Sequence, residues 1–162
     1  MDDASLDTLA RRLGERLLAR GWMTATAESC TGGWIAKTLT DIAGSSAWFD
    51  RGFVTYTNEA KQDLLGVRAD TLAVYGAVSE ATVREMVAGA LARSRAAVAV
   101  AVSGIAGPAG GSVDKPVGTV WLAWGGRDGA TRTEGCWFDG DREAVRRQAV
   151  ARAIHGLDEL LA

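Results

Sequence analysis

Residues 24–33 read T-A-T-A-E-S-C-T-G-G, and the way this stretch divides decides the fold. The alternating threonines and alanines extend a strand read over 22–28. The apolar positions Trp34, Ile35 and Leu39 that follow recur at helical spacing, which predicts a helix from near Thr31 to Gly44. Ser29 then sits at the carboxyl end of a strand, where ligands collect in open α/β sheets. The amides of Cys30, Thr31 and Gly32 fall at a helix N-terminus, a place that favours negative charge. Gly32 and Gly33 let a ligand approach the backbone closely. Such a turn can hold a phosphate or the oxyanion of an attacked carbonyl. Equally, Ser29 or Thr31 can simply cap the helix.

Outward from this turn, helices and strands alternate. Leu6, Leu9, Leu13 and Leu17 mark a first helix, with Ser5 as its cap and Gly21 as its stop. A second strand is read over 48–56, weakened by Gly52, and a short helix over 58–65, stopped at Gly66. Ser79 caps a helix with the apolar face Val83, Met86, Val87, Ala90 and Leu91. The run from Ala96 to Val102 is wholly apolar, the pattern of a strand buried on both faces. Residues 103–116 form a loop with four glycines and two prolines. Strands over 118–124 and 131–138 flank the hairpin turn Arg127-Asp128-Gly129, and a last helix begins near 141. This order predicts one α/β domain over 1–162, a mostly parallel mixed sheet covered by helices on both faces.

Composition narrows the chemistry. The chain has 162 residues, 48% of them apolar, and a formal net charge of −2. That suits one domain with a substantial core and gives no basic bias toward nucleic acid. Apolar runs are of strand length, so no membrane span is expected. The acidic start Met1-Asp2-Asp3 lacks a signal-peptide core, and a cytoplasmic location is expected. One histidine and two cysteines, Cys30 and Cys136, do not make a zinc cluster. A carboxylate-bound magnesium would need Glu28 and Asp41 together near the turn.

A serine nucleophile needs a base. His155 lies in the last helix and reads as a partly exposed structural residue. Lys61, in Y-T-N-E-A-K (56–61), sits one turn into a helix that follows a strand ending at Tyr56, so both side chains can reach the same sheet edge. A lysine works as a base only when its pKa falls well below about 10.4; its plain alternative is a solvated residue between Glu59 and Asp63. The loop S-G-I-A-G-P-A-G-G (103–111) offers amides that can cradle a phosphate, although it matches neither the P-loop nor the dinucleotide pattern. Arg142 can fork onto a phosphate, while Arg142, Arg146 and Arg147 otherwise read as a solvated helix face.

Taken together, A-E-S-C-T-G-G, Y-T-N-E-A-K, G-A-V-S, S-G-I-A-G-P-A-G-G and K-P-V-G-T-V, in that order, resemble the C-terminal domain of the CinA family of nicotinamide mononucleotide deamidases, over about residues 5 to 160. The resemblance implies a three-layer α/β/α sandwich. It implies metal-free, cofactor-free hydrolysis of nicotinamide mononucleotide to nicotinate mononucleotide and ammonia, within pyridine nucleotide salvage. The family's catalytic serine, tyrosine and lysine fall on Ser29, Tyr56 and Lys61. Its G-D-R falls on Gly140-Asp141-Arg142. Substrate contacts are then expected from Cys30, Thr31, Gly32, Ser103, Gly104, Gly107 and Arg142, with Lys61 taking the serine proton directly or through the Tyr56 hydroxyl. Cys30 is the rival nucleophile, since a helix N-terminus lowers a thiol's pKa. The expected partner is a small nucleotide, with neither nucleic acid nor membrane, in a homo-oligomer. Two other readings stand beside this one: a non-catalytic nucleotide-binding or regulatory module, and an amidase for another small amide.

Overall fold

A computed structural model describes residues 1–162. Its five strands are β1 (Thr24–Glu28), β2 (Phe49–Val54), β3 (Val98–Gly104), β4 (Thr119–Gly126) and β5 (Thr131–Trp137), in the spatial order β2-β1-β3-β4-β5. β2, β1 and β3 pair in parallel, while β4 pairs antiparallel with both β3 and β5. Four strands therefore point one way and β4 alone opposes them, as the mostly parallel reading expected.

The helices are α1 (Asp3–Arg20), α2 (Trp34–Thr40), α3 (Asn58–Leu65), α4 (Ala69–Tyr75), α5 (Glu80–Ala92) and α6 (Arg142–Leu160). Side chains along β3 divide by parity. Val98, Val100 and Val102 join the core beneath α1, α2 and α6, whereas Ala99 and Ala101 join the core beneath α3 to α5. Small residues on that second face let α5 lie close to the sheet. Two cores separated by one sheet make three layers, α/β/α.

Close packing is set at particular glycines. The indole of Trp124, fully buried, lies against Gly156 of α6 and donates from Nε1 to the Ala153 carbonyl at 2.9 Å. Gly89 brings α5 directly onto the Leu65 carbonyl at the end of α3.

Several boundaries differ from the sequence reading. Asp2, not Ser5, caps α1, accepting from the Ser5 amide at 2.9 Å; a carboxylate three residues before a helical amide satisfies it as well as a hydroxyl does. The helix expected from Thr31 starts at Trp34, because Gly32 and Gly33 both hold positive φ (59° and 100°) and delay it by a turn. It ends at Thr40, not Gly44, and a 3₁₀ turn (Ser45–Ala47) precedes β2. α4 went unseen, since its seven residues show no full apolar repeat. Ser103 and Gly104, read as loop, extend β3.

Gly89→Ala is expected to lower stability by about 1–3 kcal/mol, since the new Cβ meets a backbone oxygen that no rotamer change can move. The roughly 1 kcal/mol that alanine gains over glycine in a helix works against this but does not cancel it. A urea midpoint equal to or above that of the parent chain would contradict this packing.

Candidate active site

From β1 the chain turns outward to β2, and from β3 it turns the other way to β4. The crevice between the carboxyl ends of β1 and β3 is therefore the point where the connections diverge, the usual ligand position in such sheets. Ser29, Cys30, Tyr56, Asn58, Lys61, Ser103, Gly104, Gly107 and Arg142 are among the residues lining a cleft there.

Strand parity builds the site. Glu28 falls on the face of Thr24 and Thr26, toward α2. Ser29 continues the β1–β3 pairing through its amide, which donates to the Val102 carbonyl at 3.1 Å. One residue on, its side chain falls on the opposite face, toward α3. Thr57 caps α3 by accepting from the Ala60 amide at 3.0 Å. This cap sets the helix so that Lys61 and Leu65, four apart, both point inward and are 1% exposed.

Lys61 Nζ lies 2.9 Å from Ser29 Oγ, 3.0 Å from the Thr55 carbonyl and 3.1 Å from the Tyr56 carbonyl. Its three neighbours are all oxygen, and no carboxylate pairs with it. Burial holds its pKa below the ordinary lysine value. In the neutral form, two N–H bonds satisfy the two carbonyls and the remaining lone pair faces the serine hydroxyl. The solvated-lysine alternative does not hold, because Glu59 and Asp63 lie on other sides of α3.

The other expected residues divide. Tyr56 offers its carbonyl, not its hydroxyl, to Lys61 and Ser29. The phenol is 58% exposed and accepts from Arg142 Nη2 at 3.2 Å, so the relay expected through it does not form. Arg142 also donates from Nη1 to the Gly107 carbonyl at 2.8 Å, which brings the 103–111 loop and the start of α6 together at the cleft. Thr31 is turned away, its hydroxyl donating to Glu28 at 2.7 Å, and the Gly32 amide is spent on the Ser29 carbonyl at 3.0 Å. The amides of Cys30, Ala106 and Gly107, all cleft residues, donate to no atom of the chain. His155 is 55% exposed beside Glu159, thirteen residues and about 20 Å along α6 from Arg142. It takes no part.

Glu28 is the residue that sequence reasoning undervalued. Fully buried, its carboxylate accepts from the Thr31 and Thr26 hydroxyls and from the Ile35 and Ala36 amides, at 2.7 to 3.2 Å. It anchors the turn to α2. Asp41 pairs with Lys37 at the far end of that helix, at 2.7 Å, so the two carboxylates that a magnesium site would need do not meet. Cys30 does not gain the low pKa expected of a helix N-terminus. Burial pushes its thiol up to about 12, and α2 begins four residues later.

The profile of the CinA C-terminal domain matches residues 6–161. This chain belongs to the CinA C-terminal domain family. A nicotinamide-nucleotide amidohydrolase, PncC, of Escherichia coli strain K12 is 59% identical over 157 residues, covering 97% of this chain and 95% of the relative. A protein of the same name from Pseudomonas putida is 56% identical, with 96% of each chain covered. Among solved structures, the competence/damage-inducible protein CihA of Agrobacterium tumefaciens superimposes with a TM-score of 0.95 at 52% identity, covering 98% of this chain and 96% of its own. No helix is long and apolar enough to cross a membrane.

Both thiols are pushed up to about 12, Cys136 by its own burial and the nearby Glu134 carboxylate. At pH 8 about one molecule in ten thousand would carry either thiolate. A colorimetric disulfide reagent is expected to react very slowly with the native protein and to count two thiols after denaturation. Rapid native labelling of Cys30 would return it to contention as nucleophile.

Proposed function

We propose that the chain hydrolyses the carboxamide of nicotinamide mononucleotide, giving nicotinate mononucleotide and ammonia. The names of its relatives support the reaction class. The observation that carries the mechanism is the 2.9 Å contact between Ser29 Oγ and a buried Lys61 Nζ that has no carboxylate partner. A binding or regulatory module has no need of that contact.

Neutral Lys61 takes the Ser29 proton as Oγ attacks the carboxamide carbon. The C–O bond forms, and the carbonyl electrons move onto oxygen. Free amides in the cleft, those of Cys30, Ala106 and Gly107, are the available donors for this oxyanion; removing one such donor typically costs about 10²–10³ in rate. Lys61, now an ammonium, protonates the amide nitrogen. The C–N bond breaks and ammonia leaves. Water then attacks the acyl-enzyme, Lys61 accepts its proton, and that proton returns to Ser29 as the acid departs. Arg142, with its guanidinium at the cleft, and the glycine loop after β3 hold the phosphate and ribose. Tyr56 acts by its carbonyl on Lys61 and by its phenol on Arg142.

Ser29→Ala is expected to abolish turnover with substrate affinity nearly intact, while Cys30→Ala stays active; the reverse pattern would make Cys30 the nucleophile. Burial lowers the Lys61 pKa, so the neutral base accumulates as pH rises, and the rate should climb with pH through a step below the ordinary lysine value. Lys61→Arg should be almost inactive although it keeps the charge, because arginine does not deprotonate. A flat rate from pH 6 to 9 with an active Lys61→Arg variant would reduce Lys61 to a fixed charge.

Ammonia release from a panel of amides tests the substrate. Activity on nicotinamide mononucleotide alone is expected. Preference for another small amide would redirect the assignment, and silence on all of them would favour a binding module.

A further inference from the structure

The turn that carries Ser29 is made of intrinsically soft chain. Gly32 and Gly33 sit in succession at positive φ, and glycine has more conformational freedom to lose than any other residue. Glu28 grips this turn from inside. Outside it stands Arg146, on the second turn of α6. Its Nε donates to the Cys30 carbonyl at 3.0 Å and its Nη2 to the Thr31 carbonyl at 3.2 Å. The Thr31 carbonyl has a second donor, the Trp34 amide, whereas Arg146 is the only donor to the Cys30 carbonyl. The Trp34 ring supports the guanidinium, with Cζ 5.4 Å from its centroid.

Arg146 is not a substrate contact by position. It lines a different hollow, with Gly32, Gly33 and Trp34, on the far side of the turn from the cleft that holds Ser29, Lys61 and Arg142. Its reading as part of a solvated helix face does not survive these contacts. Each peptide unit is planar, so fixing a carbonyl also fixes the amide that shares its plane. Two carbonyls held by one rigid fork fix the units 30–31 and 31–32. The Gly32 amide on the Ser29 carbonyl fixes the unit 29–30, whose N–H is that of Cys30. The turn then holds its free amide and the Ser29 side chain in one relation to each other.

We propose that Arg146 is a positioning residue for the hydrolysis: it acts through the Cys30 and Thr31 carbonyls to hold the nucleophile and the oxyanion donor in register. The proposal rests on the amidohydrolase reading above. Such a residue matters most when charge develops on the substrate, so its loss should appear in kcat more than in KM. A misplacement of about 1 Å can cost roughly 10² in rate.

The test uses ammonia release from nicotinamide mononucleotide by the full chain and by Arg146→Ala and Arg146→Lys. An inactive parent chain would strike the amidohydrolase reading itself, before any variant is compared. With an active parent, Arg146→Ala is expected to lose roughly 10- to 100-fold in kcat with KM changed less than about twofold. The midpoint of the pH–rate profile should stay in place, since burial and not Arg146 sets the Lys61 pKa. Low millimolar guanidinium should restore part of the lost rate. Arg146→Lys, which keeps the charge but can reach only one carbonyl well, should fall between the two and serves if the alanine variant does not fold. A rise in KM at unchanged kcat would make Arg146 a substrate contact and overturn the proposal. So would unchanged kinetics in both variants, or a kcat loss that comes with a shifted pH midpoint and no guanidinium rescue.

Discussion

A lysine amine, fully buried with oxygen atoms around it and no carboxylate, is the constraint on which this site depends. A charged ammonium there is stabilised only by two carbonyl dipoles and a hydroxyl, so desolvation favours the neutral amine. The sign of its effect on folding follows. With the folded value depressed, the unfolded chain binds more protons between the folded and unfolded values, and stability rises with pH across that window. At neutral pH Lys61 therefore costs stability, and the two cores on either side of the sheet must offset it. The proposed role as a base accounts for a residue that weakens the fold where it stands.

The sheet converts one residue of chain into two opposite duties. Glu28 and Ser29 are neighbours, yet strand alternation sends one toward α2 and the other toward α3. The carboxylate fixes the turn from below by taking four donors, and the hydroxyl meets the lysine. A slip of one residue in the register of β1 would exchange them, placing a carboxylate beside Lys61. That pairing would favour the ammonium and so remove the base of the proposed mechanism. The parallel register with β3, Thr24 against Val98 through Glu28 against Val102, protects against the slip, because Ala25 and Ala27 leave room for α5 on their own face and larger residues would not.

Much of this was legible in the sequence. Helices on both faces of a sheet, the short α3, the cap at Ser79 and the apolar run that supplies most of β3 follow from period and punctuation alone. Ser29 and Lys61 were named from a strand-to-helix turn, a helical offset and a run of motifs. The remainder lay in contacts that no local pattern encodes. α3 placed Lys61 on the same inward face as Leu65, and that spacing was the available signal for its burial. The Tyr56 carbonyl, rather than its hydroxyl, does the local work, which sequence cannot distinguish because every residue carries a carbonyl. Arg146 reads as one more charge on an amphipathic helix, and only the fold brings it to a turn more than a hundred residues earlier.

The proposed preference for Ser29 over the adjacent Cys30 as nucleophile is the sharpest case of environment set against intrinsic reactivity. A thiol is the better nucleophile when both are free, but only as thiolate. Cys30 sits in the same turn as Ser29, and its burial raises the energy of the thiolate more than the nearby Arg146 and Lys61 charges lower it. No base touches its sulfur. Ser29 begins as the weaker group, yet it has an amine at hydrogen-bonding distance whose neutral form the same burial favours. Desolvation thus acts on the two side chains in opposite senses. It suppresses the group that must become an anion alone and, in the proposed mechanism, activates the group whose proton can be handed to a partner as it reacts.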